Sequence, residues 1–164
     1  MNLPTLNEMI QIKKTDASNT DFITLVAYLD QELAGRDGEE HAFYDQFNKI
    51  SNIRHAIVLY VNAEPVGCGA IKKLDANSME VKRMFIKKKH RGEGLAQKIL
   101  VLLEKWSFEL GYKKCVLETG KRQPEAVNLY MKSGYTRIPN YGQYMGVENS
   151  LCFEKQLQAS LHNS

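Results

Sequence analysis

The segment best suited to chemistry is a basic, glycine-containing turn between an apolar stretch and a long amphipathic one. It occupies residues 81–96, and six Lys or Arg residues lie between Lys82 and Arg91. Where such a turn opens a helix, the first backbone N–H groups lack partners within the helix and can face an anion. The neighbouring cations add attraction for phosphate. The segment therefore predicts a site for a cofactor that carries a pyrophosphate.

Two common phosphate-binding motifs do not fit this turn. A Walker A loop requires G-x-x-x-x-G-K-[ST], which does not occur in the sequence. A Rossmann fingerprint requires G-x-G-x-x-G, but Gln97 stands where a third glycine would follow Gly92 and Gly94. The pattern that remains is Arg91-x-x-Gly94-x-Ala96 at the start of a helix.

The elements that position this turn follow from hydrophobic periodicity and turn residues. Strands are predicted at residues 8–13, 55–61, 66–74, 79–86, 114–117, 136–138 and 150–155. Helices are predicted at residues 21–33, 39–50, 95–110 and 124–132, the first with Asp21 as its N-cap and a break at Gly35. An antiparallel meander joined to a β-α-β unit predicts an α/β fold, with a mixed sheet and helices on its faces. We expect one domain over residues 1–164.

The turn resembles the acetyl-CoA loop of the GCN5-related N-acetyltransferase (GNAT) superfamily, written [Q/R]-x-x-G-x-[G/A]. The resemblance extends over residues 56–155. Residues 80–86 resemble the family's fourth strand, residues 95–111 its central helix and residues 117–120 its fifth strand. The family's next helix and turn are matched in this chain by Gln123-x-x-Ala126-x-x-Leu129-Tyr130-x-x-x-Gly134-Tyr135. The resemblance implies the acyl-CoA N-acyltransferase fold, a mostly antiparallel sheet whose fourth and fifth strands splay apart.

The resemblance also implies acetyl-CoA as the cosubstrate and a set of residues that bind it. Backbone groups of the fourth strand would pair with pantetheine, amides of the loop would hold the pyrophosphate, and three residues of the following helix region would contact the pantetheine arm or thioester. These residues are Met84, Phe85 and Ile86; Arg91, Gly92, Glu93, Gly94, Leu95 and Ala96; and Gln123, Asn128 and Tyr130. Residues 87–89, all lysine, either contact the adenosine 3′-phosphate or solvate the surface.

Tyr130 is either a core residue or, as the resemblance implies, the group beside the thioester sulfur. A thiol has a pKa near ~8.5 and a phenol near ~10, so complete proton transfer from tyrosine is uphill by about 2 kcal/mol. Hydrogen-bond donation in the transition state is therefore favoured over early proton transfer.

The amine substrate must also lose a proton. An alkylamine with a pKa near ~10 is mostly protonated at pH 7, and exposing its lone pair costs about 4 kcal/mol. Glu80 is the first candidate for a general base and Glu118 the second, although either carboxylate could instead pair with Lys82 or Arg83. Arg83, Glu118 and Tyr144 are candidate substrate contacts, and Tyr144 lies in an aromatic, polar segment at residues 140–144.

Composition excludes several other classes. The net charge of +3 is too small to indicate nucleic-acid binding, and no apolar stretch is long enough for a membrane span. The first 20 residues lack the apolar segment of a signal peptide, so we expect a cytoplasmic protein. Cys68, Cys115 and Cys152 lie in separate apolar stretches, which indicates buried thiols, and neither they nor the scattered histidines suggest a metal site or a ping-pong nucleophile.

The sequence thus predicts an N-acetyltransferase that moves an acetyl group from acetyl-CoA to a primary amine of a small molecule. The amine would attack the thioester directly in a ternary complex. Two alternatives stay open at this point: a CoA-binding sensor or interaction module without catalysis, and a protein or peptide acetyltransferase. The resemblance also raises homodimerisation, without a residue to argue it from.

Overall fold

A seven-stranded mixed sheet forms the centre of the molecule. The computed structural model describes residues 9–37 and 49–159. The strands are β1 (Ile10–Thr15), β2 (His55–Val61), β3 (Glu64–Lys73), β4 (Ser78–Ile86), β5 (Lys114–Gly120), β6 (Thr136–Ile138) and β7 (Ser150–Gln156). Their spatial order is β1-β2-β3-β4-β5-β7-β6, and every neighbouring pair is antiparallel except β4 with β5. This arrangement confirms the predicted α/β fold with a mixed, mostly antiparallel sheet.

Within the described residues, three α-helices cover the sheet, with short 3₁₀ turns between elements. They are α1 (Thr20–Asp37), α2 (Leu95–Glu109) and α3 (Pro124–Lys132). Phe22, Leu25 and Val26 of α1 pack on one face of the sheet. α2 and Tyr130 of α3 pack on the opposite face. Strands with both faces covered bury nearly every side chain, which explains the continuous apolar runs of β2 and β3. None of the described helices is long and apolar enough to cross a bilayer.

The first helix differs from its prediction at both ends. Its cap is Asn19, whose Oδ1 accepts the Phe22 N–H at 2.9 Å, while the Asp21 carboxylate instead accepts the Tyr60 hydroxyl at 2.7 Å. The helix also continues through Gly35 to Asp37, because Arg36 pairs with Glu125 at 2.6 Å and holds the last turn against the body of the protein. Glycine weakens a helix by only about 1 kcal/mol, a cost comparable to what such surface contacts contribute.

The remaining boundaries are close to prediction. β1 begins at Ile10 instead of residue 8, and β5 continues beyond residue 117 to Gly120. The buried face of α2 includes Leu100, whereas Leu110, which directly follows the helix, is exposed. The predicted helix at residues 39–50 falls almost entirely outside the described residues, and a 3₁₀ turn spans Ile50–Asn52.

Two irregularities of β4 shape the functional part of the molecule. β4 pairs with β5 only from Ser78 to Glu80, so the two strands diverge beyond Glu80. On its other edge, Lys82 pairs with Ala70 and Phe85 with Cys68, which leaves two residues of β4 opposite the single residue Gly69. That bulge contains Arg83 in a left-handed conformation, with φ of 60°. The divergence opens a cleft, and the bulge aims side chains into it.

Candidate active site

The cleft between β4 and β5 contains two adjoining cavities. The larger has a volume of about 440 Å³ and the smaller about 120 Å³. They share a set of lining residues from α1, β4 and the α3 region: Leu29, Leu33, Met84, Gln123, Ala126 and Tyr130. Because these residues line both cavities, they mark where a molecule in one would meet a molecule in the other.

The glycine loop and the start of α2 form one end of the larger cavity. Gly92 and Gly94 have φ of 83° and 80°, a conformation that other residues adopt at a cost. A Cβ added at either glycine would meet nothing within 4 Å. Steric crowding within the protein is therefore not the reason that glycine stands at these two positions. No side chain caps α2, which leaves the first N–H groups of the helix open to a ligand. This end of the cavity suits an anion.

Two basic side chains stand beside this loop. The Nε2 atom of His90 is buried and has no hydrogen-bond partner among the described residues, although His90 lines the cavity. The Arg91 Nε donates to the Ile86 carbonyl at 2.7 Å, and its terminal nitrogens bond Glu32 of α1 at 2.7 and 3.2 Å. Open amides, a buried imidazole nitrogen without a partner among the described residues and a fixed guanidinium fit a pyrophosphate.

The end of α1 lies across the larger cavity. Arg36 donates two hydrogen bonds to Glu125 at the start of α3, at 2.6 and 3.2 Å. The lysines at residues 87–89 lie on the far side of the loop, where Lys87 and Lys89 pair with Glu64 at 3.3 and 3.6 Å. α1 therefore contacts both walls of the larger cavity, through Glu32 to Arg91 and through Arg36 to Glu125. Lys87 and Lys89 do not line this cavity.

Buried charged groups line the smaller cavity. Glu80 accepts the Tyr141 hydroxyl at 2.6 Å through one carboxylate oxygen, and its other oxygen lies 3.7 Å from the Lys82 ammonium. Burial lowers the pKa of Lys82, against an upward pull from the Glu80 carboxylate. Burial, reinforced by Glu80, raises the pKa of Tyr141, so this hydroxyl stays protonated and keeps donating to the carboxylate. Glu118 on β5 accepts the Ser150 hydroxyl at 2.7 Å.

Tyr130 lies at the junction of the two cavities. Its ring packs edge-on against Tyr135 at 5.8 Å and obliquely against Phe153 at 6.4 Å between ring centres. Burial, with a smaller contribution from Glu118, raises the pKa of Tyr130 above that of free tyrosine. The phenol is therefore neutral at physiological pH and acts as a hydrogen-bond donor, whereas losing its proton is harder than for tyrosine in water.

The predicted site residues are gathered in this cleft with one exception. Those on the larger cavity are Met84, Phe85, Ile86, Arg91, Gly92, Gly94, Leu95, Ala96, Gln123, Asn128 and Tyr130. Those on the smaller cavity are Glu80, Arg83, Glu118 and Tyr144, which share it with Met84, Gln123 and Tyr130. Glu93 lines neither; its carboxylate lies 3.6 Å from His90 Nδ1.

Sequence reasoning missed Leu29, Glu32 and Leu33 of α1, which line the cavities together with Arg36 of the same helix. Of the two ion pairs weighed for Glu80, the structure has the one with Lys82, and Arg83 pairs instead with Asp30 of α1. The partnership of Tyr141 with Glu80 was also missed, although Tyr141 belongs to the aromatic, polar segment at residues 140–144. Only the unusual composition of that segment pointed to it.

The three thiols are buried and poorly suited to nucleophilic attack. Burial raises the pKa of Cys68 to about 12 and that of Cys115 and Cys152 to about 11. The thiolate is the reactive form of cysteine, and at pH 7 it is a minor species for each of these groups.

Comparison with known proteins agrees with this geometry. The family model of the acetyltransferase (GNAT) family matches residues 22–135. Over 93 residues the chain is 36% identical to an IAA acetyltransferase of Azospirillum brasilense, which covers 56% of this chain and 61% of that protein. The chain thus spans less than two thirds of the length of this curated relative.

Solved structures share the fold. A Klebsiella pneumoniae protein assigned as an acyl-CoA N-acyltransferase is 28% identical, with a TM-score of 0.76 over 92% of this chain and 99% of that one. A GNAT acetyltransferase of Elizabethkingia anophelis with acetyl-CoA bound is 18% identical, with a TM-score of 0.67 over 90% of this chain and 98% of that one. Splayed strands, an open helix N-terminus behind a glycine loop and a family match over most of the sequence lead to one assignment: the chain belongs to the acetyltransferase (GNAT) family.

Proposed function

We propose that the protein is an N-acetyltransferase that uses acetyl-CoA to acetylate the primary amine of a small molecule, by direct attack in a ternary complex. The observation that carries the proposal is the pair of adjoining cavities with Tyr130 at their junction. One cavity offers amides and cations to a pyrophosphate, and the other offers carboxylates to an amine. A related fold with acetyl-CoA bound supports this choice of cosubstrate.

The residues of the larger cavity fit acetyl-CoA, which supplies an acetyl group activated as a thioester. Amides of Gly92, Gly94 and Leu95 would hold its pyrophosphate at the start of α2, with Arg91 beside them. β4 has an unpaired edge beyond Glu80, where strand β5 has diverged, and this edge can pair with the amides of a pantetheine arm as an added strand would.

The protein's own residues would contribute proton removal and hydrogen bonds. Glu80, directly or through a water molecule, would take the proton from the attacking amine, and Tyr141 orients its carboxylate. Tyr130 would donate a hydrogen bond to the sulfur as negative charge develops there. Backbone N–H groups near the bulge of β4 would polarise the carbonyl. The buried cysteines take no part, so a covalent acetyl-enzyme is not expected.

The size of the smaller cavity favours a small acceptor. Its volume of about 120 Å³ suits a small molecule. A peptide would need a longer groove.

The test is a thiol-release screen with purified protein, acetyl-CoA and a panel of amino acids, polyamines, aminoglycosides and peptides. Amine-dependent thiol release with a small acceptor supports the proposal. Release only with peptides would make the protein a peptide acetyltransferase. Tight acetyl-CoA binding in calorimetry without release by any amine would favour a CoA-binding module and overturn the proposal.

A further inference from the structure

The bulge of β4 places two cations side by side in the smaller cavity. Glu80 and Lys82 face α1, Val81 packs in the core on the α2 side, and Phe85 packs in the core under α1. Strict alternation would send Arg83 to the α2 side. As the inserted residue of the bulge it instead faces α1, where its guanidinium pairs with Asp30. Lys82 and Arg83 are thus sequence neighbours on the same side of the sheet.

Both cations are buried and only partly satisfied. The side chains of Lys82 and Arg83 are 7% and 2% exposed. Arg83 Nε has no hydrogen-bond partner among the described residues. The contact of the Lys82 ammonium with Glu80 is 3.7 Å long, beyond the range of a hydrogen bond. Leaving a buried charged donor such as Arg83 Nε without a partner is costly, so the pair suits a ligand group that the described residues do not supply.

The opposite charge stands within the same cavity. Glu80 and Glu118 line it, and the charge of Glu118 reaches Tyr130 at the junction with the larger cavity. The cavity therefore has both signs of charge within a volume of about 120 Å³. Such a site matches a small molecule that itself carries an ammonium and a carboxylate.

We propose that the acceptor is an amine that bears a carboxylate close by, such as a free amino acid. Lys82 and Arg83 bind the carboxylate, and the amine faces Glu80 beside Tyr130. Arg83 offers Nε, while Asp30 keeps the far end of the guanidinium in place. This inference rests on the proposed function and adds the substrate class to it.

The test compares matched acceptors: α-amino acids, the corresponding amino-acid amides, and amines of the same side chain without the carboxyl group. With the wild-type protein and saturating acetyl-CoA, we expect kcat/KM to be at least tenfold higher for the amino acids. Arg83→Gln should raise KM for the amino acids at least tenfold and change KM for the amides less than twofold. Arg83→Lys should recover part of the loss, since it restores the charge.

Lys114→Gln is the matched control, because Lys114 of β5 pairs with Glu154 at 3.2 Å and lies outside the cavity. It should leave the preference for carboxylate unchanged. Acetyl-CoA affinity, measured for each variant, reports whether it is folded, and the comparison of acceptors on the wild-type protein needs no variant. Amides acetylated as well as amino acids would overturn the inference and leave the proposed function intact. No thiol release with any amine would overturn both.

Discussion

Replacing Tyr130 with phenylalanine removes only the hydroxyl oxygen, so it tests whether Tyr130 acts in the reaction or only packs in the core. Tyr130→Phe keeps the ring and its contacts with Tyr135 and Phe153. No hydrogen bond joins the Tyr130 hydroxyl to another described residue, so the unfolding midpoint and acetyl-CoA affinity should change little. Tyr130 lines both cavities, and its hydroxyl matters for the reaction only if it donates to the developing thiolate.

The size of the effect follows from the charge on that partner. A hydrogen bond to a charged group contributes about 1.5–3 kcal/mol, and about 1.4 kcal/mol corresponds to a tenfold change in rate, so kcat should fall about 10- to 150-fold. Because burial raises the pKa of Tyr130, the phenol stays protonated across the assay range, and the wild-type kcat should show no inflection from it below pH 10.

The assay is thiol release at saturating acetyl-CoA and acceptor, with calorimetry for cofactor affinity. Tyr135→Phe is the matched control: the Tyr135 hydroxyl donates to Glu104 at 2.8 Å inside the core, away from both cavities. That variant should lose about 1–3 kcal/mol of stability and keep its kcat. A Tyr130→Phe protein with wild-type kcat would refute the assigned role, as would an equal loss of kcat in both variants.

Three further expectations can be checked on the same protein. Glu80→Gln should lower kcat by about 10²-fold, because an amide cannot accept the proton of the amine; an unchanged kcat would assign proton removal to another group. Gly94→Val should weaken acetyl-CoA binding at least tenfold in calorimetry, because the residue would have to keep φ of 80° while its side chain covers the open amides; unchanged affinity would contradict the loop's role. In the native protein Cys68, Cys115 and Cys152 should react slowly with iodoacetamide at pH 8 by mass spectrometry and faster toward pH 11, since their raised pKa values keep them protonated; fast labelling at pH 8 would show that they are accessible thiolates.

The family and the glycine-loop end of the cleft could be predicted because their signals are local in the chain. The strand before the loop, the glycines at residues 92 and 94 and the helix after them lie within residues 78–109, and each element follows from spacing and turn chemistry. The position of Tyr130 on a helix between Pro124 and Gly134 is equally local. The first helix was predicted too short because the contact that extends it, from Arg36 to Glu125, joins residues 89 apart in sequence.

The acceptor end was decided by the tertiary structure. Strict alternation along β4 would place Arg83 opposite Lys82, and only the register of β4 against Gly69 brings both to one face. Tyr141 meets Glu80 across 61 residues, and Asp30 meets Arg83 across 53. Sequence periodicity specifies which face of an element is apolar, whereas these contacts depend on a bulge and on how distant elements pack. The sequence by itself therefore determined the fold and the glycine loop, and the three-dimensional packing determined which charges line the smaller cavity.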